Sequence, residues 1–233
     1  MSLSAEAPSI ALARDQALLD EVRDRPLVRW YVVTSPALVL GLALHNRRAE
    51  VVDVERCAAA GVEVLERSAG GGAVLLDDGM LCCSVCVPGA LDDLTESYRW
   101  LGEHFAARLG LHRVEVAEAR QDVAALRSRA DPVAGALLAC CYGALSPHEV
   151  VNAQRAKVVG LAQVRRKHAA LFQAGILLRD QSPLADLLQV PNEHTREVLR
   201  IDLRSRSAGL QWQADLTQLV KRLALDQALQ ALG

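Results

Sequence analysis

Apolar residues follow two different spacings along the chain, which predicts a mixture of helices and strands. Apolar side chains recur at helical spacing over residues 10–22, whereas Leu27–Val33, 38–44 and 62–65 are apolar stretches of strand length. Pro36 separates the first two of these stretches and marks a turn. The beginning of the chain is therefore predicted to be one helix followed by three short strands.

A β-hairpin is predicted around an Asp-Gly turn in the first half of the chain. Ala73–Leu76 and residues 81–87 are strand-like runs, and residues 77–79 between them read Asp-Asp-Gly. Three consecutive glycines, residues 70–72, directly precede the first of these runs. The glycines are thus expected at the entry to the hairpin and not at its tip.

The remainder of the chain is also predicted to contain both helices and strands. Residues 94–109 carry apolar side chains at helical spacing, with Asp92 or Asp93 as candidate N-cap and Gly110 as terminator. Residues 133–141 are apolar throughout, so a helix and a buried strand explain them equally well. Further strands are predicted at 114–116, 149–152, 157–164 and 169–178, and further helices at 118–129, 184–188, 193–203 and 211–232.

This order of elements favours an α+β fold with a mixed, largely antiparallel sheet flanked by helices, over regular β-α-β winding. The 233 residues suffice for one good-sized domain. We expect residues 1–190 to form one domain and the helices of residues 191–233 to pack on that same domain.

Composition and net charge argue against some classes of protein. The chain is 51% hydrophobic with a net charge of -2, whereas a nucleic-acid-binding protein usually has a basic excess. No apolar stretch is long enough to cross a bilayer, and residues 1–12 lack the pattern of a signal peptide. We therefore expect a cytoplasmic protein with reduced thiols and with neither a nucleic acid nor a membrane as partner.

The cysteines and histidines do not predict a metal site. Cys83 and Cys86 have the CxxC spacing, but they fall in a strand-like run, where positions three apart point to opposite faces. Together with Cys82 they are predicted to be small apolar residues of the core. The histidines are scattered without a pair at ligand spacing, so no metal is expected.

The glycine run and a lysine are two candidates for chemistry. Three glycines are costly in a strand and are favoured where a ligand approaches the main chain, although a bulge or turn explains them as well. Lys157 heads an otherwise apolar strand. A desolvated ammonium can hold a carbonyl, carboxylate or phosphate oxygen or favour a nearby thiolate, and snorkelling to the strand end is the alternative.

A cysteine at the end of an apolar run is the third candidate. Cys141 follows Cys140 and enters a turn rich in Gly, Ser and Pro. Catalytic thiols prefer such partly exposed loop positions, and His148 is an alternative base nearby in the sequence. A buried structural cysteine is the competing interpretation.

Taken together, these features resemble the lipoate–protein ligase and octanoyltransferase family, which shares its catalytic fold with biotin–protein ligases. The resemblance covers about residues 10–190, and it implies that residues 1–190 are a catalytic domain of the biotin/lipoate protein ligase kind. It rests on two ordered motifs, Arg67-Ser68-Ala69-Gly70-Gly71-Gly72-Ala73-Val74 with the turn at Asp77, and Lys157-Val158-Val159-Gly160-Leu161-Ala162-Gln163 followed by residues 172–178.

The resemblance implies roles for these residues. Cys141 and Lys157 would be catalytic, with the acyl group carried as a thioester on Cys141 and Lys157 contacting the acyl carbonyl. The acceptor would be a lysine of a lipoyl domain or of the glycine cleavage H protein, and the donor an acyl carrier protein or another lipoyl protein. The residues implied to bind an octanoyl or lipoyl chain are Arg67, Gly70, Gly71, Gly72, Ala73, Val74, Asp77, Gly160, Ala162 and Gln163.

The family contains two chemistries, and the sequence favours one of them. Ligases form an acyl-adenylate from ATP, whereas cysteine-dependent octanoyltransferases move an existing acyl group. Residues 75–77 read Leu-Leu-Asp where ligases commonly have Tyr-His-Asp, and Glu66 stands where they often have an arginine. We therefore expect transfer without a tightly bound cofactor, and ATP with Mg only in the ligase alternative. A non-catalytic module that binds an acyl group or a lipoyl domain, and Cys140 as the nucleophile, stay open.

Overall fold

A computed structural model describes residues 2–89 and 94–230, which form two β-sheets and a surrounding set of helices. The strands are β1 (Leu3–Glu6), β2 (Leu27–Val33), β3 (Ala37–Leu40), β4 (Glu63–Glu66), β5 (Ala73–Leu76), β6 (Met80–Pro88), β7 (His112–Arg113), β8 (Val150–Val151), β9 (Lys157–Arg165) and β10 (Ala169–Leu177). The α-helices are α1 (Pro8–Glu21), α2 (Arg48–Val51), α3 (Val54–Ala59), α4 (Leu94–Leu109), α5 (Val116–Arg129), α6 (Pro132–Ala139), α7 (Glu193–Arg206), α8 (Leu216–Leu223) and α9 (Leu225–Gln230).

The larger sheet has seven strands in the order β1-β2-β6-β10-β9-β8-β7. Only the β1–β2 pair is parallel among its described pairs, so the predicted α+β fold with a mixed, largely antiparallel sheet is confirmed. Neighbouring residues on a strand point to opposite faces. On β2, Trp30 packs beside α4 and α8, whereas Tyr31 packs on the face towards the smaller sheet.

The smaller sheet has three strands in the order β4-β3-β5. β5 pairs antiparallel with β3, from Ala73 opposite Leu40 to Ala37 opposite Leu76. The predicted hairpin between β5 and the next strand is therefore wrong. The Asp-Gly turn instead carries the chain from the smaller sheet to the larger one, and Asp77 Oδ1 accepts a hydrogen bond from the Gly79 N–H within it. Strand propensity does not reveal with which partner a strand pairs.

Several other expectations are corrected or resolved. Residues 42–47 form a 3₁₀ helix instead of continuing a strand, and α5 begins at Val116 where a strand end was expected. The ambiguous run before Cys140 is the helix α6. Ala224 is left-handed, at φ +47°, and divides the predicted last helix into α8 and α9. The N-cap predicted at Asp92 or Asp93 lies outside the described residues.

The C-terminal helices pack against the rest of the chain. Leu199 and Leu203 of α7 join a cluster with α6 and the smaller sheet, and Leu219 and Leu223 of α8 join the cluster beneath the larger sheet. The boundary predicted at residue 190 stays a prediction. None of the helices in the described ranges is long and apolar enough to cross a membrane.

Candidate active site

Cys141 lies in a loop that begins at the end of α6 and is fixed to the start of β5. The Asp131 carboxylate caps α6 by accepting from the Ala134 N–H at 2.7 Å. After the helix, the Cys141 N–H donates to the Ala73 carbonyl at 2.7 Å. The backbone of the predicted nucleophile is thus held against the strand that follows the glycine run.

The glycine run makes this close contact sterically feasible. A Cβ on Gly72 would lie 2.2 Å from the Ala139 carbonyl oxygen, so no other residue fits without a shift of the backbone. Gly71 adopts φ +98°, and a Cβ there would lie 3.8 Å from Cys141 Sγ. A Cβ on Gly70 would meet nothing within 4 Å. Two of the three glycines therefore serve the packing around the thiol.

An apolar cavity of about 40 Å³ lies between the two sheets, and Cys141 is part of its wall. The wall also includes four of the predicted substrate-binding residues, Arg67, Val74, Gly160 and Ala162. The remaining predicted residues lie outside this wall. Ala73 receives the Cys141 N–H, Asp77 forms the turn and pairs with Arg179, and Gln163 is buried on β9.

Arg67 is the cation nearest to the sulfur among the contacts of the described residues. Its Nη2 lies 3.7 Å from Cys141 Sγ and donates to the Gly70 carbonyl at 3.2 Å. Its Nε is buried without a hydrogen-bond partner. Arg67 also lines a second cavity of about 350 Å³, which shares Leu12 and Gln173 with the first. The guanidinium therefore lies where the two cavities adjoin.

Burial distinguishes Cys141 from the other cysteines near it. Cys140 is buried, and burial raises the pKa of its thiol. Burial likewise raises the pKa of the Cys82 thiol, which also lines the apolar cavity. Cys141 is the one partly exposed cysteine of the six. Because the thiolate and not the thiol is the nucleophile, this arrangement favours Cys141.

Lys157 is fully buried behind the Cys141 loop, at 0% exposure. Its ammonium donates to the Cys141 carbonyl at 2.7 Å and to the Ala144 carbonyl at 2.5 Å, and it pairs with Glu149 Oε2 at 2.5 Å. An ammonium has three hydrogens, so these contacts account for all of its donors. Lys157 therefore fastens the loop that carries the thiol, and its predicted contact with an acyl carbonyl stays a prediction.

Glu149 was not predicted as a site residue, although it completes this network. Its carboxylate also accepts from the Ser146 N–H at 2.8 Å and from the Leu161 N–H at 3.3 Å. Burial raises its pKa, and the Lys157 ammonium opposes that rise. The signal in the sequence was a second, oppositely charged residue beside the apolar strand that precedes Lys157, because a buried charge requires a partner.

Tyr142 anchors the same loop on the larger sheet and was also missed. Its hydroxyl accepts from the Gly160 N–H at 3.2 Å and donates to the Gly175 carbonyl at 2.6 Å. Gly160 and Gly175 are directly opposite each other on β9 and β10. A Cβ on Gly160 would lie 2.9 Å from the Tyr142 ring. The two glycines thus leave the space that the tyrosine fills.

We expect Gly175→Ala to destabilise the protein by about 1–3 kcal/mol, the usual cost of overpacking a core. The new Cβ would lie 2.6 Å from Tyr142 Oη and 2.8 Å from Met80 Sδ. Urea denaturation measures the change. Gly135→Ala on α6 is the matched control, because a Cβ there meets nothing within 4 Å and should stabilise the helix by about 0.5–1 kcal/mol. Equal effects of the two variants would contradict the packing described here.

An aspartate network beside the cavity was missed as well. Asp15 is buried on α1, and its Oδ2 accepts from Tyr31 Oη at 2.9 Å and from Gln173 Nε2 at 2.7 Å. Its Oδ1 pairs with Arg29. Tyr31 and Gln173 line the apolar cavity. Asp15 shares a helix face with apolar Ala11 and Leu19, and a charge on such a face was the available signal.

His148, the alternative base, lies outside the site formed by Cys141 and the apolar cavity. It is 4% exposed, does not line the apolar cavity, and its Nδ1 accepts from Arg113 Nη1 at 2.6 Å. Burial, and then the Arg113 charge, lower the pKa of the imidazole. Its backbone is left-handed, at φ +69°. Among the described residues, no group of three or more His, Cys, Asp or Glu side chains is placed to hold a metal ion.

The lowered pKa of His148 predicts a loss of stability in acid. The unfolded chain binds a proton near pH 6.5, whereas the folded imidazole does so only at lower pH. The contribution of His148 to stability is therefore complete above about pH 6.5 and declines as the pH falls below it. His148→Asn keeps a residue that tolerates the left-handed backbone. Its free energy of unfolding should vary less between neutral pH and mild acid than that of the parent, and an unchanged dependence would contradict the prediction.

The fold and the site together define a class of protein. Two sheets enclose a narrow apolar cavity, and a glycine-bordered loop presents a cysteine beside an arginine at its wall. The model of the lipoyl protein ligase A/B catalytic domain matches residues 7–230, and the chain belongs to this family. The predicted resemblance is confirmed.

The curated relatives include octanoyltransferases. The chain is 31% identical to octanoyltransferase LipM of Kyrpidia tusciae, over 79% of this chain and 66% of that protein. It is 29% identical to octanoyltransferase LipM of Carboxydothermus hydrogenoformans, over 85% of this chain and 72% of that protein. The chain thus spans about two thirds to three quarters of the length of these relatives.

A solved structure supports the same fold. The bipartite lipoate protein ligase of Thermoplasma acidophilum, studied with its E2 lipoyl domain, aligns with a TM-score of 0.74 and 23% identity. The alignment covers 96% of this chain and 80% of that one. This similarity shows the fold of the catalytic domain.

Proposed function

We propose that the protein transfers an octanoyl or lipoyl group to a lysine of a lipoyl-domain protein, through a thioester on Cys141. The observation that carries this proposal is a partly exposed thiol in the wall of an apolar cavity, with a guanidinium 3.7 Å from the sulfur. Relatives named octanoyltransferase over most of the chain support it.

In the first half of the reaction, the acyl group is attached to Cys141. Cys141 sulfur attacks the carbonyl carbon of a donor thioester, and the new C–S bond forms as the bond to the donor sulfur breaks. The proton that Cys141 loses ends on the departing donor thiol. The apolar side chains of the cavity wall favour contact with the hydrocarbon chain, because burial of methylene groups is favourable.

The second half transfers the group to the acceptor. The neutral amine of a lysine attacks the thioester carbonyl, an amide forms, and Cys141 leaves as a thiol. The acceptor class is supported by the Thermoplasma acidophilum ligase, which was studied with its E2 lipoyl domain. A lipoyl domain or glycine cleavage H protein is the proposed acceptor, and acyl carrier protein or another lipoyl protein the proposed donor.

The test supplies octanoyl-acyl carrier protein without ATP. We expect one octanoyl group on the peptide that contains Cys141, followed by its movement to the acceptor lysine when a lipoyl domain is added. Peptide mapping by mass spectrometry reads both steps. Cys141→Ala should form no acyl-enzyme.

The alternatives give different results in the same assay. Pyrophosphate release that requires both ATP and the free acid would identify a ligase and contradict transfer from a thioester donor. Binding of the lipoyl domain or the acyl group without any acylation would identify a non-catalytic module. Full transfer activity in Cys141→Ala would overturn the thioester.

A further inference from the structure

A surface groove of about 530 Å³ lies between helix α5 and the loop that follows Cys141. We propose that this groove docks the acyl donor, an acyl carrier protein, through a helix that presents carboxylates beside an apolar side chain. This inference rests on the proposed function, because it states which of the two protein partners is recognised at the groove.

The groove combines apolar residues with two cations. Val123 and Leu145 are partly buried in its lining, and Pro147 adds an exposed apolar residue. Arg120 and Arg127 also line it and are exposed. These two groove arginines lie seven residues apart on α5, which corresponds to about 10 Å along the helix axis. A partner helix with two carboxylates at the same spacing and an apolar side chain between them is complementary to this lining.

The acidic residues of α5 do not cancel this positive charge. Glu118 pairs with Arg155, and Asp122 pairs with Arg206 at 2.8 Å, so both are neutralised within the protein. The side chains of the two groove arginines, by contrast, form no ion pair or hydrogen bond within residues 2–89 and 94–230. No carboxylate is among the residues that line the groove. Its charge therefore favours an acidic partner and disfavours a basic one.

The loop that forms one side of the groove is continuous with the loop that carries the thiol. Leu145 lies four residues after Cys141, so their Cα atoms are at most about 14 Å apart. The Leu145 N–H donates to Asp122 at 2.9 Å, and the Ser146 N–H donates to Glu149 at 2.8 Å. A partner bound in the groove is thus held close to the sulfur, within reach of an acyl group on a flexible arm.

The positive charge also distinguishes the donor from the acceptor. An acyl carrier protein holds its acyl group on an arm that is attached through a phosphodiester, and arginine binds both phosphate and carboxylate oxygens. The acceptor presents a lysine, whose ammonium the groove arginines would repel. A lipoyl protein as donor carries its acyl group on a lysine amide without a phosphate. Two unpaired arginines therefore favour the carrier protein.

The experiment compares two donors in the parent and in the groove variant, which combines Arg120→Glu with Arg127→Glu. Octanoyl-acyl carrier protein is expected to use the groove, whereas octanoyl-N-acetylcysteamine, a small thioester without a protein, is not. Acylation of Cys141 is measured in single turnover over a range of donor concentrations. Transfer from the acylated enzyme to a lipoyl domain is measured separately. Calorimetric titration with the carrier protein measures binding without acyl chemistry.

The matched control combines Arg48→Glu with Arg204→Glu. Both arginines are exposed, lie on helices outside the groove and have no ion pair within the described ranges. The control therefore changes the net charge by the same amount as the groove variant. Thermal unfolding of each variant verifies that the fold is retained.

We expect the groove variant to raise the carrier concentration needed for half-maximal acylation about tenfold or more, with an unchanged maximal rate. Acylation by the small thioester and transfer to the lipoyl domain should stay at the parental rates, and the control should behave as the parent. Added salt should weaken the use of the carrier protein by the parent and should affect the groove variant less.

Parental use of the carrier protein by the groove variant would overturn the proposal. An equal loss with the small thioester, or a loss confined to transfer to the lipoyl domain, would overturn it as well. If the parent binds the carrier protein but is never acylated, the proposed function fails. The docking site then stands if the groove variant alone loses binding, and it is refuted if binding is retained. A parent that neither binds the carrier protein nor is acylated by it contradicts both.

Discussion

Cys141→Ser is expected to lower the rate of acyl transfer by about three orders of magnitude or more, since a serine hydroxyl is a far weaker nucleophile than a thiolate at neutral pH. The substitution is nearly isosteric, so the hydrogen bond from the residue 141 N–H to the Ala73 carbonyl should survive. The measurement is transfer of octanoyl from its carrier protein to a lipoyl domain, followed by mass spectrometry.

Cys140→Ala is the matched control for this substitution. Cys140 is the adjacent residue, it is buried, and burial raises the pKa of its thiol. We expect this variant to lose some stability through the vacated space but to keep most of its transfer activity. If Cys140→Ala loses transfer and Cys141→Ser retains it, then the nucleophile is the other member of the pair.

Lys157→Met is expected to destabilise the fold by about 3–5 kcal/mol, the cost of leaving one member of a buried ion pair without its partner. Glu149 is 2% exposed, and the lost ammonium is the only cation with which it pairs among the described residues. The carbonyls of Cys141 and Ala144 would also lose their donor. A loss of this size is a large fraction of the stability of a typical domain. Chemical denaturation measures it.

The double variant Lys157→Met with Glu149→Gln tests the cause. A neutral amide at position 149 removes the unpaired charge and can still accept from the Ser146 and Leu161 N–H groups. We expect it to recover a substantial part of the stability lost in the single variant. A single variant that loses less than about 1 kcal/mol would show that the pair is not the principal support of the loop.

The sequence predicted those parts of the fold that depend on local patterns. Leu27–Val33 and Ala73–Leu76 are strands with the expected bounds, because their apolar character and the turn residues beside them are local signals. The partner of β5 was not predictable, since an Asp-Gly turn is compatible with a hairpin and with a connection between two sheets. Only the packing of β5 against β3 decides between them.

The candidate site shows the same division. Cys141 and the glycine run were identified by residue type and spacing, and the structure brings them together: Cys141 lies in the wall of the apolar cavity, and Gly71 and Gly72 pack around its loop. Tyr142 was missed because it acts through Gly175, a residue distant in sequence. Glu149 is close to Lys157 in the sequence, but their contact depends on how β8 and β9 pair. A single sequence contains the identities of such residues but not the distances between them.

The attachment of the Cys141 loop also determines which partner moves during catalysis. Tyr142, the residue after the cysteine, is hydrogen-bonded to two central strands, and the Lys157 ammonium donates to the Cys141 carbonyl. The loop that carries the thioester of the proposed reaction is thus held in a fixed position. The thioester cannot move between sites as a group on a long flexible arm would. Both the donor and the acceptor must deliver their reactive groups to it, so the reach of the partner's lysine, and not the mobility of this protein, limits which lysines can be modified.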